Sequence, residues 1–160
     1  EDNNRYTSYL LTSLEAWMSK LQPKVVHVNA GLHDLWLSNQ KHRIPIPEYK
    51  ENLRRIVAII REQTDATIIW ATTTPVIDSR ILERNGVQSR RNADVELYNA
   101  AAIEVMEDLG VQINDLYTLV MQAGPEKLIS SDGVHFTSAG YELLGKAVAE
   151  AVRAALTQLE

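Results

Sequence analysis

The sequence predicts an α/β fold in which a parallel sheet is covered by helices on both faces. Short β-branched runs alternate along the chain with amphipathic helical periods. The clearest strand pattern is apolar on both sides, as a doubly covered strand requires. The intervals between strands are long enough for helical crossovers, which are right-handed between parallel strands.

Each element has its own signal. Thr7 or Ser8 is placed to cap a first helix running to about Leu21, with Leu10, Leu14, Trp17 and Leu21 on one face and Pro23 ending it. Val25-Val26-His27-Val28 reads as a strand. Pro47 suits a helix N1 position, and Tyr49, Leu53, Ile56, Val57 and Ile60 form the apolar stripe that follows. Thr67 to Thr72 is the clearest strand, followed by Thr73-Thr74-Pro75. The stretch 78–91, with Gly86 and four arginines, reads as a solvated irregular loop that is a candidate neighbour of the site. A helix over about 93–109 turns Val95, Tyr98, Ala102, Val105, Met106 and Leu109 inward and stops at Gly110. Val111 to Asn114 is a brief strand and Leu116 to Met121 a short helix. Thr137 caps a long last helix that buries Leu144, Val148, Val152 and Leu156.

Composition narrows the function. The 160 residues, 45% hydrophobic and 23% charged, fit one domain spanning 1–160, without repeat, linker or low-complexity segment. A net charge of -5 with no dense run of Lys or Arg argues against nucleic acid or an anionic membrane as partner. The absence of cysteine excludes disulfides, thiolate nucleophiles and Cys-ligated zinc, and leaves the compartment undecided. No run of about 20 apolar residues offers a membrane span, and residues 1–8 lack the apolar core of a signal peptide. The expected ligand is a small molecule or a polymer end, with no cofactor.

The most informative segment is Ser130-Ser131-Asp132-Gly133-Val134-His135-Phe136-Thr137. A carboxylate three residues before an imidazole can accept its Nδ1 proton, which leaves Nε2 free to take a proton from a nucleophile. In an open parallel sheet, sites form at the carboxyl ends of strands. Asn29-Ala30-Gly31-Leu32-His33-Asp34, Thr73-Thr74-Pro75 and the Asp132/His135 loop all fall there. His27, inside a strand, reads as packed or hydrogen-bonded, and His42 as solvated. Ser130 and Ser131 stand too close to Asp132 to reach Nε2, and the other serines have no context recommending them.

With these segments in place, the chain resembles the SGNH hydrolases, also called GDSL-type esterases, from Glu1 to the C-terminus. Asp132 and His135 match the family's Asp-x-x-His block, and Gly31-Leu32-His33-Asp34 is similar to its Gly-x-Asn-Asp block. The Thr-Pro strand end and the Tyr49-x-x-Asn52-Leu53 helix are further common features. The resemblance implies a three-layer α/β/α, flavodoxin-like architecture lacking its first strand. It also implies ester hydrolysis through an acyl-enzyme, with Asp132 and His135 as acid and base.

Two departures matter. The family's Gly-Asp-Ser block is missing, so the nucleophile is expected upstream of this chain, which by itself is expected to be inactive. His33 stands where the family has Asn. The resemblance assigns the oxyanion to a backbone N–H at Arg5, where the family has Gly, to the loop at Gly31 and to the His33 side chain, which can donate from Nε2; a purely structural His33 is the alternative. Asp34 is expected to tie down loop backbone, and Trp36 to line the pocket or cover the core. A small acyl group, such as acetyl on a carbohydrate, is preferred as substrate. The bare edge of the Val25–Val28 strand is expected to invite self-association. A non-catalytic binding module, and a metal-dependent hydrolase using His33, Asp34, Asp132 and His135, remain as alternatives.

Overall fold

The computed structural model describes residues 6–159. Helix α1 (Thr7–Leu21) leads into strand β1 (Val25–Val28), and a two-stranded hairpin, β2 (Leu37–Ser38) and β3 (Lys41–His42), precedes helix α2 (Ile46–Gln63). Strand β4 (Thr67–Ala71), helices α3 (Asp78–Asn85) and α4 (Asn92–Asp108), strand β5 (Gln112–Asn114), helices α5 (Leu116–Ala123) and α6 (Pro125–Leu128), and the long helix α7 (Ser138–Thr157) complete the chain.

The main sheet is parallel, in the order β1-β4-β5. Val25 pairs with Thr67 and Val28 with Trp70, while Ile69 to Ala71 pair with Gln112 to Asn114. Successive side chains of β4 alternate between faces. Ile68 and Trp70 join the core formed by Leu10, Leu14, Tyr49, Leu53, Ile56, Val95, Tyr98 and Met106 from α1, α2 and α4. Helix α7 contacts all three strands of the sheet. A smaller cluster of Ile77, Val120 and Ile129, with Phe136 and Leu144 against it, holds α5, α6 and the start of α7 together. This is the three-layer α/β/α arrangement expected. Each fully buried Leu or Ile in it contributes about 1.5–3 kcal/mol.

The periodic elements fall where the pattern places them: all five apolar residues of the α2 stripe are buried, and Thr137 caps α7 through its hydroxyl, which accepts from the Gly140 N–H at 3.3 Å. Four expectations need correction. Tyr6, not Thr7 or Ser8, occupies the N-cap of α1; the Thr7 hydroxyl is engaged by Asp34 instead. The stretch 78–91 is not a solvated loop, since its first half is α3 and Ser89 and Arg90 are buried. The polarity of this segment hid a helix with little apolar surface to bury. His42 is half-buried, edge-on to Tyr98 with Nε2 3.4 Å from Asp94 Oδ1. Finally, Leu144, Val148 and Val152 of α7 are only half-buried and Leu156 is 39% exposed, because the three described strands are too few to cover a 20-residue helix.

Candidate functional site

Two loops at the carboxyl ends of the strands build the site. The first, Gly31 to Asp34, follows β1 and is anchored from all sides. Gly31 has φ +148°, and a Cβ there would lie 2.5 Å from Thr73 Oγ1 and 3.1 Å from the Tyr49 hydroxyl. Only glycine fits so close an approach in that conformation. Tyr49, fully buried, donates to the Ala30 carbonyl at 2.7 Å. Thr73 is itself clamped by Asn99, which accepts from its N–H and donates to its carbonyl, both at 2.8 Å.

Asp34 does tie down backbone, as expected, but across the fold. Its Oδ1 accepts from the Thr7 N–H at 3.0 Å and the Thr7 hydroxyl at 2.5 Å, while Asn52 donates to the same hydroxyl at 3.0 Å. The carboxylate therefore satisfies an orphan donor in the first turn of α1, the task of a cap delivered from a distant loop. Burial pushes its pKa up to about 6, against the lowering effect of the Thr7 bonds. Its Oδ2 is buried without a hydrogen-bond partner among the described residues.

The second loop carries Asp132 and His135. Asp132 Oδ2 lies 2.6 Å from His135 Nδ1, and Oδ1 accepts from the Val134 and His135 N–H groups, both at 2.9 Å, and from the Ser130 hydroxyl at 2.8 Å. Partial burial pushes this carboxyl upward, but those hydrogen bonds together hold it well below the usual carboxylate range. The Asp132 side chain is 14% exposed and that of His135 72%, so the pair presents an ionised carboxylate behind an accessible imidazole. With Nδ1 engaged, Nε2 is the nitrogen left to exchange a proton with a reactant. Gly133, at φ +78°, lets the turn dock: its carbonyl accepts from the Ile77 N–H at 2.9 Å, and a Cβ would meet the Ile77 carbonyl at 2.6 Å. Arg80 pins the loop entrance by donating to the Ile129 carbonyl at 2.6 Å.

The structure thus brings Asp132 and His135 together and places Gly31 and half-buried His33 on the neighbouring loop. Arg5 lies outside the described residues. Ser130 bonds the carboxylate rather than the imidazole. Trp36 is half-buried, with the Arg90 guanidinium 4.2 Å and that of Arg43 5.7 Å from its ring centroid. His27 Nε2 lies 3.1 Å from the Asn114 side-chain nitrogen, and burial lowers its pKa. Among the described residues, no group of three or more His, Asp or Glu side chains is gathered as metal ligands would be. Thr73 lies in a segment that the sequence places at the site, whereas Asn99, Arg80 and Arg90 escaped that reading, because their role is visible only once distant segments meet.

A parallel sheet with an Asp-x-x-His pair at its carboxyl end is the arrangement that the SGNH resemblance implies. The chain belongs to the GDSL-like Lipase/Acylhydrolase family, whose model matches residues 4–143. It is 29% identical over 151 residues to the human isoamyl acetate-hydrolyzing esterase 1 homolog, a match covering 89% of this chain and 61% of that protein. A GDSL esterase/lipase of Arabidopsis thaliana is 29% identical over 143 residues, covering 82% of this chain and 59% of the relative. The chain thus spans about three fifths of the length of these relatives. Among solved structures, a lipase/acylhydrolase from Enterococcus faecalis shares the fold with a TM-score of 0.77 at 24% identity, covering 93% of this chain and 71% of that one. The acetylxylan esterase Axe2 from Geobacillus stearothermophilus shares it with a TM-score of 0.72 at 20% identity, covering 92% and 68%.

Proposed function

We propose that this chain is the acid-base and oxyanion part of a serine ester hydrolase whose nucleophile stands on a segment preceding Glu1. The observation that carries this reading is the 2.6 Å contact between Asp132 and His135 on an exposed loop, in a 160-residue sequence that contains no Gly-Asp-Ser. In the full-length protein the serine attacks the ester carbonyl as His135 takes its proton, and Asp132 stabilises the imidazolium. The oxyanion is held by the His33 side chain, the loop at Gly31 and the backbone N–H at Arg5. The acyl-enzyme is then hydrolysed with His135 again as base.

A small acyl group is the favoured substrate portion. The exposed dyad carries no long apolar cover among the described residues, and relatives in sequence and in fold are named for acetate esters. Acetyl on a carbohydrate fits the same reading. A panel of p-nitrophenyl esters of rising chain length, assayed with the full-length protein, tests it: activity should peak at acetate and persist in EDTA. A maximum at long acyl chains rejects the substrate class. Loss of activity in EDTA points instead to metal-dependent hydrolysis, and inactivity towards every ester to a non-catalytic binding module.

A further inference from the structure

Among the described residues, Arg90 is the one buried guanidinium beside the two loops, and its polar contacts are specific. It is only 7% exposed, and no carboxylate among the described residues lies within ion-pairing distance. Burying a charge is costly unless hydrogen bonds and favourable electrostatics compensate. Its Nε–H donates to the Leu32 carbonyl at 3.0 Å, and its guanidinium lies over the Trp36 ring at 4.2 Å. Its own segment is fixed as well, since the Leu37 N–H donates to the Ser89 carbonyl at 2.9 Å. Burial and then repulsion from Arg43 lower its pKa to about 10, while attraction from Asp132 opposes the shift. Arg90 thus bonds the Gly31–Asp34 loop on one side and stacks on Trp36 on the other.

The bonded atom matters. The Leu32 carbonyl and the His33 N–H belong to one planar peptide unit, so fixing that oxygen fixes the plane from which His33 departs. Further restraints act at the ends of this loop: Tyr49 holds Ala30, the Leu35 N–H donates to the Gly31 carbonyl at 3.0 Å, and Asp34 holds Thr7. Arg90 restrains its middle, at the Leu32 carbonyl.

We infer that Arg90 is a positioning residue for ester hydrolysis: by bonding the Leu32 carbonyl while stacked on Trp36, it sets the orientation of His33 towards the oxyanion. This deepens the proposed function and rests on it. A misplacement of about 1 Å can cost on the order of 10²-fold in rate, and loosening one restraint of several on this loop should cost less.

The test is a double-mutant cycle in the full-length protein with p-nitrophenyl acetate, rates being normalised to active sites titrated with a fluorophosphonate. Arg90→Met should lower kcat by about 10-fold and leave KM within about 2-fold, and Arg90→Lys, which keeps a cation over Trp36, should recover part of the loss. In a His33→Ala background, itself slower by about 10²-fold to 10³-fold, Arg90→Met should cost less than about 2-fold, because the group it orients is gone. Equal costs in both backgrounds, or an unchanged kcat per active site, overturn the role of Arg90 alone. If His33→Ala keeps the full rate, the oxyanion reading falls and the role of Arg90 with it. Should Arg90→Met fail to fold, Arg90→Lys carries the same cycle, with a loss of about 3-fold expected in the parent and none without His33.

Discussion

The loop of Gly31 to Asp34 and the loop of Ser130 to Thr137 sit at the same end of the sheet but differ in what sets the geometry of their key side chains. The first, together with Ala30 that leads into it, is fixed by partners far away in the chain: Thr7, Tyr49, Thr73 and Arg90 reach it across 19 to 58 residues. The second is also docked from a distance, by Ile77 on the Gly133 carbonyl and Arg80 on the Ile129 carbonyl, but the geometry of its Asp132–His135 pair is set by bonds from Ser130, Val134 and His135, two or three residues away. On the proposed reading, the exposed imidazole is oriented by its near neighbours, whereas the loop proposed to receive the oxyanion is pre-set by the core, in keeping with the demand that such donors be fixed before charge develops.

This contrast can be broken at either loop. The largest effect is expected at the local one: His135→Ala in the full-length protein should lower kcat on the order of 10⁴-fold to 10⁶-fold, with Tm almost unmoved because the side chain is 72% exposed. A large fall in Tm would show that the imbalance between the loops is not as described. At the other loop the order reverses. Gly31→Ala forces a Cβ to within 2.5 Å of Thr73 Oγ1 at a φ that alanine resists, so urea unfolding of this chain should show a loss of about 3 kcal/mol. A loss below about 0.5 kcal/mol would mean that the approach to Thr73 is not enforced.

The Asp34 anchor sharpens the comparison through pH. Its folded pKa, about 6, is raised above the ordinary 3.8 by burial, so between those values the native state binds the proton more tightly than the unfolded chain. Stability from this group is therefore present at low pH and lost as pH rises through about 6, by at most about 3 kcal/mol at about 1.4 kcal/mol per pKa unit. Asp34→Asn keeps an acceptor for Thr7 and removes the ionisation. Measured from pH 4 to pH 7, the parent should lose stability relative to this variant, and a parallel pair of curves would contradict the buried, partly neutral carboxylate. A smaller effect is expected at β1, whose outer edge is unpaired among the described residues. Size-exclusion chromatography of this chain should show concentration-dependent self-association, whereas a monomer at every concentration would mean that this edge is covered.

The same contrast explains what the sequence disclosed. Asp132 and His135 were legible because three residues of spacing in a turn settle their geometry, and α2 and α4 because their apolar period matches the helix. The stretch 78–91 was not, since α3 has little apolar stripe and the burial of Ser89 and Arg90 depends on docking against Leu32, Trp36 and Leu37. Thr7 misled for a related reason: its hydroxyl looked like a local cap, but a carboxylate 27 residues away competes for it. Gly31 and Asp34 could be read from the Gly-x-x-Asp spacing and Thr73 from the strand end it follows, but not Asn99 or Arg90, which carry no motif of their own.

The central claim is that Asp132 and His135 activate a serine outside residues 1–160. Labelling the full-length protein with a fluorophosphonate and mapping the modified peptide tests this most directly. The account predicts one modified serine, in a Gly-Asp-Ser preceding Glu1, with labelling abolished by His135→Ala. A label on any serine within residues 1–160, or labelling that survives the loss of His135, would contradict it.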